Sequence, residues 1–189
     1  LPKLQSGQMI VVRRKPAPSD NRLEKMRART VAQLQANDLE TLSAGAWFTG
    51  FHPEWNLASQ LIPLLKHDEW EVRRAAAESL GRIAHAPAAD ALATAIAAET
   101  DAHALGDQLL ALGHIGDARI QALSLKSLRH PSPFVRQQAM RAADSLIQST
   151  VIAGSSANDS EFQSFLQQLT ESGLRDSDSR IRHIAIKLV

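Results

Sequence analysis

Three stretches of the chain can be laid over one another: "VRRAAAESLGRI" at 72–83, "ALGDQLLALGHI" at 104–115 and "VRQQAMRAADSL" at 135–146, with offsets of 32 and 31 residues. Leu80 then falls on Leu112 and Ala143, Ile83 on Ile115 and Leu146, and Ala76 on Gln108 and Ala139. A fourth copy, "IRHIAIKLV", starts at Ile181 after an offset of 46, one period plus an insertion that holds "AGSSANDS" at 153–160. A period of this length is one supersecondary unit, too small to bury its own apolar face, so the units have to stack.

Each copy opens on helix-start chemistry. Asp68, Thr100 or Asp101, Ser132 followed by Pro133, and Ser177 or Asp178 are suited to N-caps, and Glu71 stands where a capping-box partner of Asp68 would be. Ahead of the caps lie apolar runs: Leu57/Leu61/Leu64/Leu65, Leu92/Ile96, Ile120/Leu123/Leu128 and Phe162/Phe165/Leu166/Leu169. Spacings of three and four mark one buried helical face, so the unit is helix, short turn, helix. The first fifty residues are less regular. "QMIVV" at 8–12 reads as a short strand or extended arm, and "RRKPAPSD" at 13–20 as a linker. Helices are expected over 21–35 and, capped by Asp38, over 39–48; together they make a degenerate first repeat at 20–50, with a break at Gly50 to Pro53.

Composition narrows the class. With 44% hydrophobic residues in 189, the chain is globular, and no apolar run is long enough for a membrane-spanning helix. There is no cysteine, which removes disulfides and thiolate chemistry; a cytoplasmic location is the expectation. The net charge of +1 hides an asymmetry: residues 1–36 carry eight Lys/Arg against two acids, a net of +6, and the remainder nets −5. A basic arm at 1–19 with Arg13, Arg14 and Lys15, followed by Arg22, Lys25 and Arg29 on one helical face, is a candidate for phosphates or an acidic protein patch. The chain opens at Leu1-Pro2 and ends in what reads as mid-helix, which suggests a fragment, or the ordered part, of something longer.

The stretches "LIPLLKHDEWEVRRAAAESLGRI" (61–83), "LKSLRHPSPFVRQQAMRAADSL" (125–146) and "LRDSDSRIRHIAIKL" (174–188) carry a leucine-rich first helix, an acidic or Ser/Pro turn, and a Val-Arg-x-x-Ala-x-x-x-Leu second helix. This pattern resembles the HEAT-repeat superfamily in its short-period, PBS-lyase-like form, over residues 55–189 with a truncated last repeat. The resemblance implies an all-α fold, a right-handed α-solenoid of four to five helix pairs. In it the second helices line a concave face that commonly binds protein or nucleic acid. It also implies that Arg73, Arg136 and Arg182, each directly after the core residue that opens a second helix, point along the stack. There they would bond acidic or carbonyl groups of the turns. The third repeat has Leu105 at that position.

Arg74 is on another face. Val72, Ala76, Leu80 and Ile83 define the buried stripe, which leaves the next faces as Arg74, Gly106, Gln137 and His183; then Glu78, Leu110, Arg141 and Lys187; then Arg82, His114 and Ser145. These are the candidate binding positions, with mixed signs and no continuous basic stripe. Nothing in the sequence points to catalysis. His67-Asp68-Glu69 has no counterpart in other repeats from which metal ligands would converge, there is no Gly-x-Ser-x-Gly elbow, and "GSSANDS" lacks the lysine of a P-loop. Trp47 and Trp55 are expected to cover the end of the array, while Trp70 stands at a helix start near Glu71 and Arg74. The expected role is a non-catalytic protein-interaction scaffold with no cofactor or metal. The alternatives are a nucleic-acid-binding or base-processing HEAT-like protein, with nucleic acid held through the basic arm, and an accessory repeat domain of a larger enzyme such as a bilin-lyase-like protein.

Overall fold

The computed structural model of the chain describes residues 20–152 and 159–188, and every regular element among them is helical. α1 (Asp20–Gln33) pairs with α2 (Leu39–Thr49). The four-residue α3 (Ala58–Leu61) and a 3-10 turn at Pro63–Lys66 precede α4 (Trp70–Ile83). α5 (Ala89–Ala98) pairs with α6 (Ala102–Ile115), α7 (Ile120–Ser127) with α8 (Pro133–Ile152), and α9 (Ser160–Leu174) with α10 (Ser179–Ile186). The described residues form an all-α array of five helix pairs in which successive second helices α2, α4, α6 and α8 pack side by side. The arm at 1–19, with Arg13, Arg14 and Lys15, and insertion residues 153–158 lie outside the described residues.

Local chemistry accounts for the boundaries. Asp38 accepts the Thr41 N–H, Asp101 the N–H groups of His103 and Ala104, and Asp178 the Arg180 N–H, each filling an orphan donor of a first turn. α4 departs from expectation. Its N-cap is Glu69 rather than Asp68, with no side-chain cap bond, and Glu71 does not reach back. The reason is that a start at Trp70 puts Val72 rather than Glu71 at the third helical position, while the Glu69 N–H donates to His67 Nδ1 at 3.1 Å. The first helix of that repeat is also shorter than its leucine spacing suggests, because Pro63 lacks an N–H to continue α3.

The main core runs from α2 to α8 and includes the fully buried Leu61, Leu80, Leu92, Leu112 and Ile120. A second cluster, with Met140, Phe165, Leu169 and Ile181, joins the far side of α8 to α9 and α10. α8 thus serves both clusters: Val135 and Ala139 face one, Met140 and Ala143 the other. The helices carrying the site are pressed close together by small residues. A β-carbon at Gly81 would come within 2.6 Å of Ala111 Cα, so α4 and α6 meet at a distance only glycine allows.

Candidate functional site

The turn side of the second helices is closed by arginines. Arg73 donates Nε and Nη2 to the two carboxylate oxygens of Glu99, at 2.8 and 2.6 Å, and Nη1 to the carbonyls of His67 and Asp68, both at 2.7 Å. Glu99 belongs to the next repeat's turn, and its side chain is 1% exposed. It also accepts from Gln108 Nε2 and the N–H groups of Thr100 and Asp101. Arg136 repeats the fork on Asp176 at 2.8 and 3.0 Å, with Nη1 on the carbonyls of His130 and Pro131. The partner is 40 residues on rather than 26, the difference being the insertion. Arg182 donates to the carbonyls of Asp176 and Ser177 in its own turn. These fork-to-carboxylate bonds tie one repeat to the next. Burial raises the Glu99 carboxyl, but the bonds from Arg73, Asp101 N–H and Gln108 outweigh it, and the group lies below its ordinary value.

The other side of the same helices is open. α4, α6 and α8 border a groove of about 540 Å³. One row is aromatic: Trp70, His103 and Phe134, in the first turns of the three helices, follow one another with ring centroids 5.7 and 5.0 Å apart. Gly106 permits this, since a β-carbon there would meet the Phe134 ring at 2.5 Å. One helical turn on, a polar row runs Arg74, Asp107, Gln138. Asp107 accepts Gln138 Nε2 at 2.8 Å, and Arg74 Nη1 stands 3.6 Å from its other oxygen. Beyond them lie Glu78, Leu110 and Arg141, then Arg82 and His114.

The charges in this groove are unevenly matched. Glu78 accepts Arg82 Nη2 at 2.6 Å and stands 3.9 Å from Arg74. Arg141 has one contact, to Gln138 Oε1 at 3.3 Å. Arg74 is held only by ion contacts to Asp107 and Glu78 at 3.6 and 3.9 Å, and its Nε is buried with no acceptor. Burial pushes the Asp107 carboxyl above its ordinary value, Glu78 adding to the effect and Gln138 and Arg74 opposing it. Burial, with Arg141 alongside, pushes the His114 imidazole below its own.

Of the positions read from the sequence, Arg74, Glu78, Arg82, Leu110, His114 and Arg141 all border this groove. Gln137 does not; Gln138 takes its place, because it is four residues from Phe134 and follows that ring onto the face beside Gly106. His183 on α10 and Lys187 just after it are exposed, α10 packs mainly on α9, and neither residue borders the groove. Arg22, Lys25 and Arg29 are exposed on α1. Trp55 is buried, its ring stacked on His52 at 3.8 Å. Trp47 is not buried as an end cover: it is 43% exposed beside Phe51, and Arg82 lies 3.9 Å over the Phe51 ring. The reason is that Trp47 belongs to α2, whose buried face is filled by Leu42, Ala46 and Thr49 instead. Sequence reasoning missed His103, Asp107, Phe134 and Gln138. An aromatic-type residue two or one positions before each core-opening Val72, Ala104 and Val135 was the available signal.

The fold defines a helical-repeat array with an open groove on its second helices. More particularly, residues 28–105 match the family model for HEAT repeats. No curated protein matches it. Among solved structures it is similar to an engineered protein, with 20% identity, a TM-score of 0.53, and coverage of 86% of this chain and 94% of that one. A second engineered protein has 19% identity and a TM-score of 0.50, over 86% of this chain and 56% of that one. The complex of CpcE and CpcF of phycocyanin lyase from Nostoc sp. PCC7120 has 20% identity and a TM-score of 0.47, over 99% of this chain and 91% of that one. At these identities the likeness is one of fold.

Proposed function

We propose that the chain is a non-catalytic interaction module that holds a protein partner along the groove across α4, α6 and α8. The observation that carries this is the contrast between the groove's aromatic row and its unsatisfied arginine: Trp70, His103 and Phe134 offer apolar faces, and Arg74 beside them has donors without acceptors. Aromatic rings and arginines at the centre of a concave patch are the usual anchors of protein interfaces. The groove's three arginines are interleaved with Glu78 and Asp107, so it is no track for a phosphate backbone, which needs cations in succession. No group of three or more potential metal ligands occurs among the described residues.

The test is affinity capture from the native source with nuclease-treated extract, using the wild-type chain, a Phe134→Ala variant shown to melt as a folded protein, and a chain lacking residues 1–19. A stoichiometric protein lost from the Phe134→Ala bait supports the groove. Recovery of nucleic acid, or of proteins held only through it, replaces this function with the nucleic-acid one. Loss from the truncated bait alone assigns binding to the basic arm.

A further inference from the structure

We propose that the groove reads a carboxylate: the partner segment, on the interaction role above, presents an Asp or Glu to Arg74, with a neighbouring apolar side chain laid on the Trp70–His103–Phe134 row. The two acids facing the groove are already engaged, Glu78 by Arg82 at 2.6 Å and Asp107 by Gln138 at 2.8 Å. Arg74 has no such bond. Arg74 Nη1 is 3.6 Å from Asp107 and 3.9 Å from Glu78, beyond hydrogen-bond reach of both, and its Nε is buried without an acceptor. The Arg74 side chain is 40% exposed, so its terminal N–H groups, held only at ion-pair distance, are open to an arriving oxygen. A carboxylate is the group whose two oxygens match the guanidinium fork.

Charge supports the same choice. Arg74, Arg82 and Arg141 face Glu78 and Asp107 across the groove, while the chain after residue 36 nets −5, so the groove is a cationic window in an acidic body. An acidic segment is disfavoured by the net negative charge of that body and finds a matched surface here. The aromatic row lies one helical turn from Arg74 on α4, which sets the spacing. The carboxylate and the apolar side chain belong to neighbouring residues of an extended segment, separated by about two positions at the rise of a strand. Asp107 competes with the ligand for Arg74, so removing its charge strengthens rather than weakens binding.

The experiment pans a random dodecapeptide phage library on the wild-type chain, then measures synthetic fluorescein-labelled winners by anisotropy. The variants are Arg74→Gln, Asp107→Asn and Phe134→Ala, each checked by thermal melting. A labelled single-stranded oligonucleotide runs in parallel. The expected winners carry Glu or Asp near Trp, Phe or Leu. Their affinity falls about tenfold or more on Arg74→Gln or on changing the peptide's acid to its amide, and rises on Asp107→Asn. Winners that lose affinity on Phe134→Ala but are indifferent to Arg74→Gln and to the peptide's acid would overturn the carboxylate while leaving the groove as a protein site. Winners indifferent to all three variants, an absence of winners, or tight binding of the oligonucleotide alone would overturn both.

Discussion

Arg73 and Arg74 are adjacent in α4, yet they belong to two opposite regions of the array. On the turn side, Arg73 has four hydrogen bonds, and its partner Glu99 is saturated by five donors. On the groove side, Arg74 has only ion contacts at 3.6 and 3.9 Å and keeps a buried Nε without an acceptor. A polar network that closes on itself holds helices together, whereas one left open on a surface groove has capacity for something else. The same contrast recurs on α8, where Arg136 is forked onto Asp176 and Arg141 has a single contact at 3.3 Å.

That contrast breaks most visibly at Arg73. Substitution by Met strands the buried Glu99 carboxylate and is expected to cost about 3–5 kcal/mol in urea unfolding. The pH dependence should invert as well. In the wild type, the lowered Glu99 value means its contribution is present above the unfolded value of 4.5 and lost as pH falls through the lower folded one. Without Arg73 the buried carboxyl titrates higher than in the unfolded chain, so acidification should relieve the variant where it weakens the parent; stability curves at several pH values check this.

Smaller effects sharpen the boundary between the regions. Gly81→Ala forces Ala111 away and is expected to lose about 1–3 kcal/mol by chemical denaturation, because the seam beneath the groove has no slack. Asp101→Ala leaves the N–H groups of His103 and Ala104 unpaired at the start of α6, an expected loss of about 1 kcal/mol in the same assay. Arg74→Gln should change stability least, within about 0.5 kcal/mol, since it breaks only ion contacts at 3.6 and 3.9 Å on a side chain that is 40% exposed.

The difference between the two regions also explains what was legible beforehand. The repeat register and the face holding Arg74, Glu78 and Arg82 follow from periodicity within one helix, which a sequence displays directly, and of the two caps it offered for α6, Thr100 and Asp101, the second is used. Glu99 as the partner of Arg73 did not, because a contact 26 residues away depends on how one repeat seats on the next. Gln138 was misplaced by one position for a related reason: Phe134 lies over the bare backbone of Gly106, and that sets which face of α8 meets the groove. The one-residue shift that takes Glu71 out of capping-box register on α4 is local, but it depends on the backbone at Glu69 rather than on residue spacing.

The most direct measurement is paired equilibrium unfolding of Arg73→Met and Arg74→Gln in urea at neutral pH. The closed-versus-open account predicts a loss of several kcal/mol for the first and a change within about 0.5 kcal/mol for its neighbour. Comparable losses for the two would contradict it, and would make Arg74 a second structural bond rather than the centre of a binding groove.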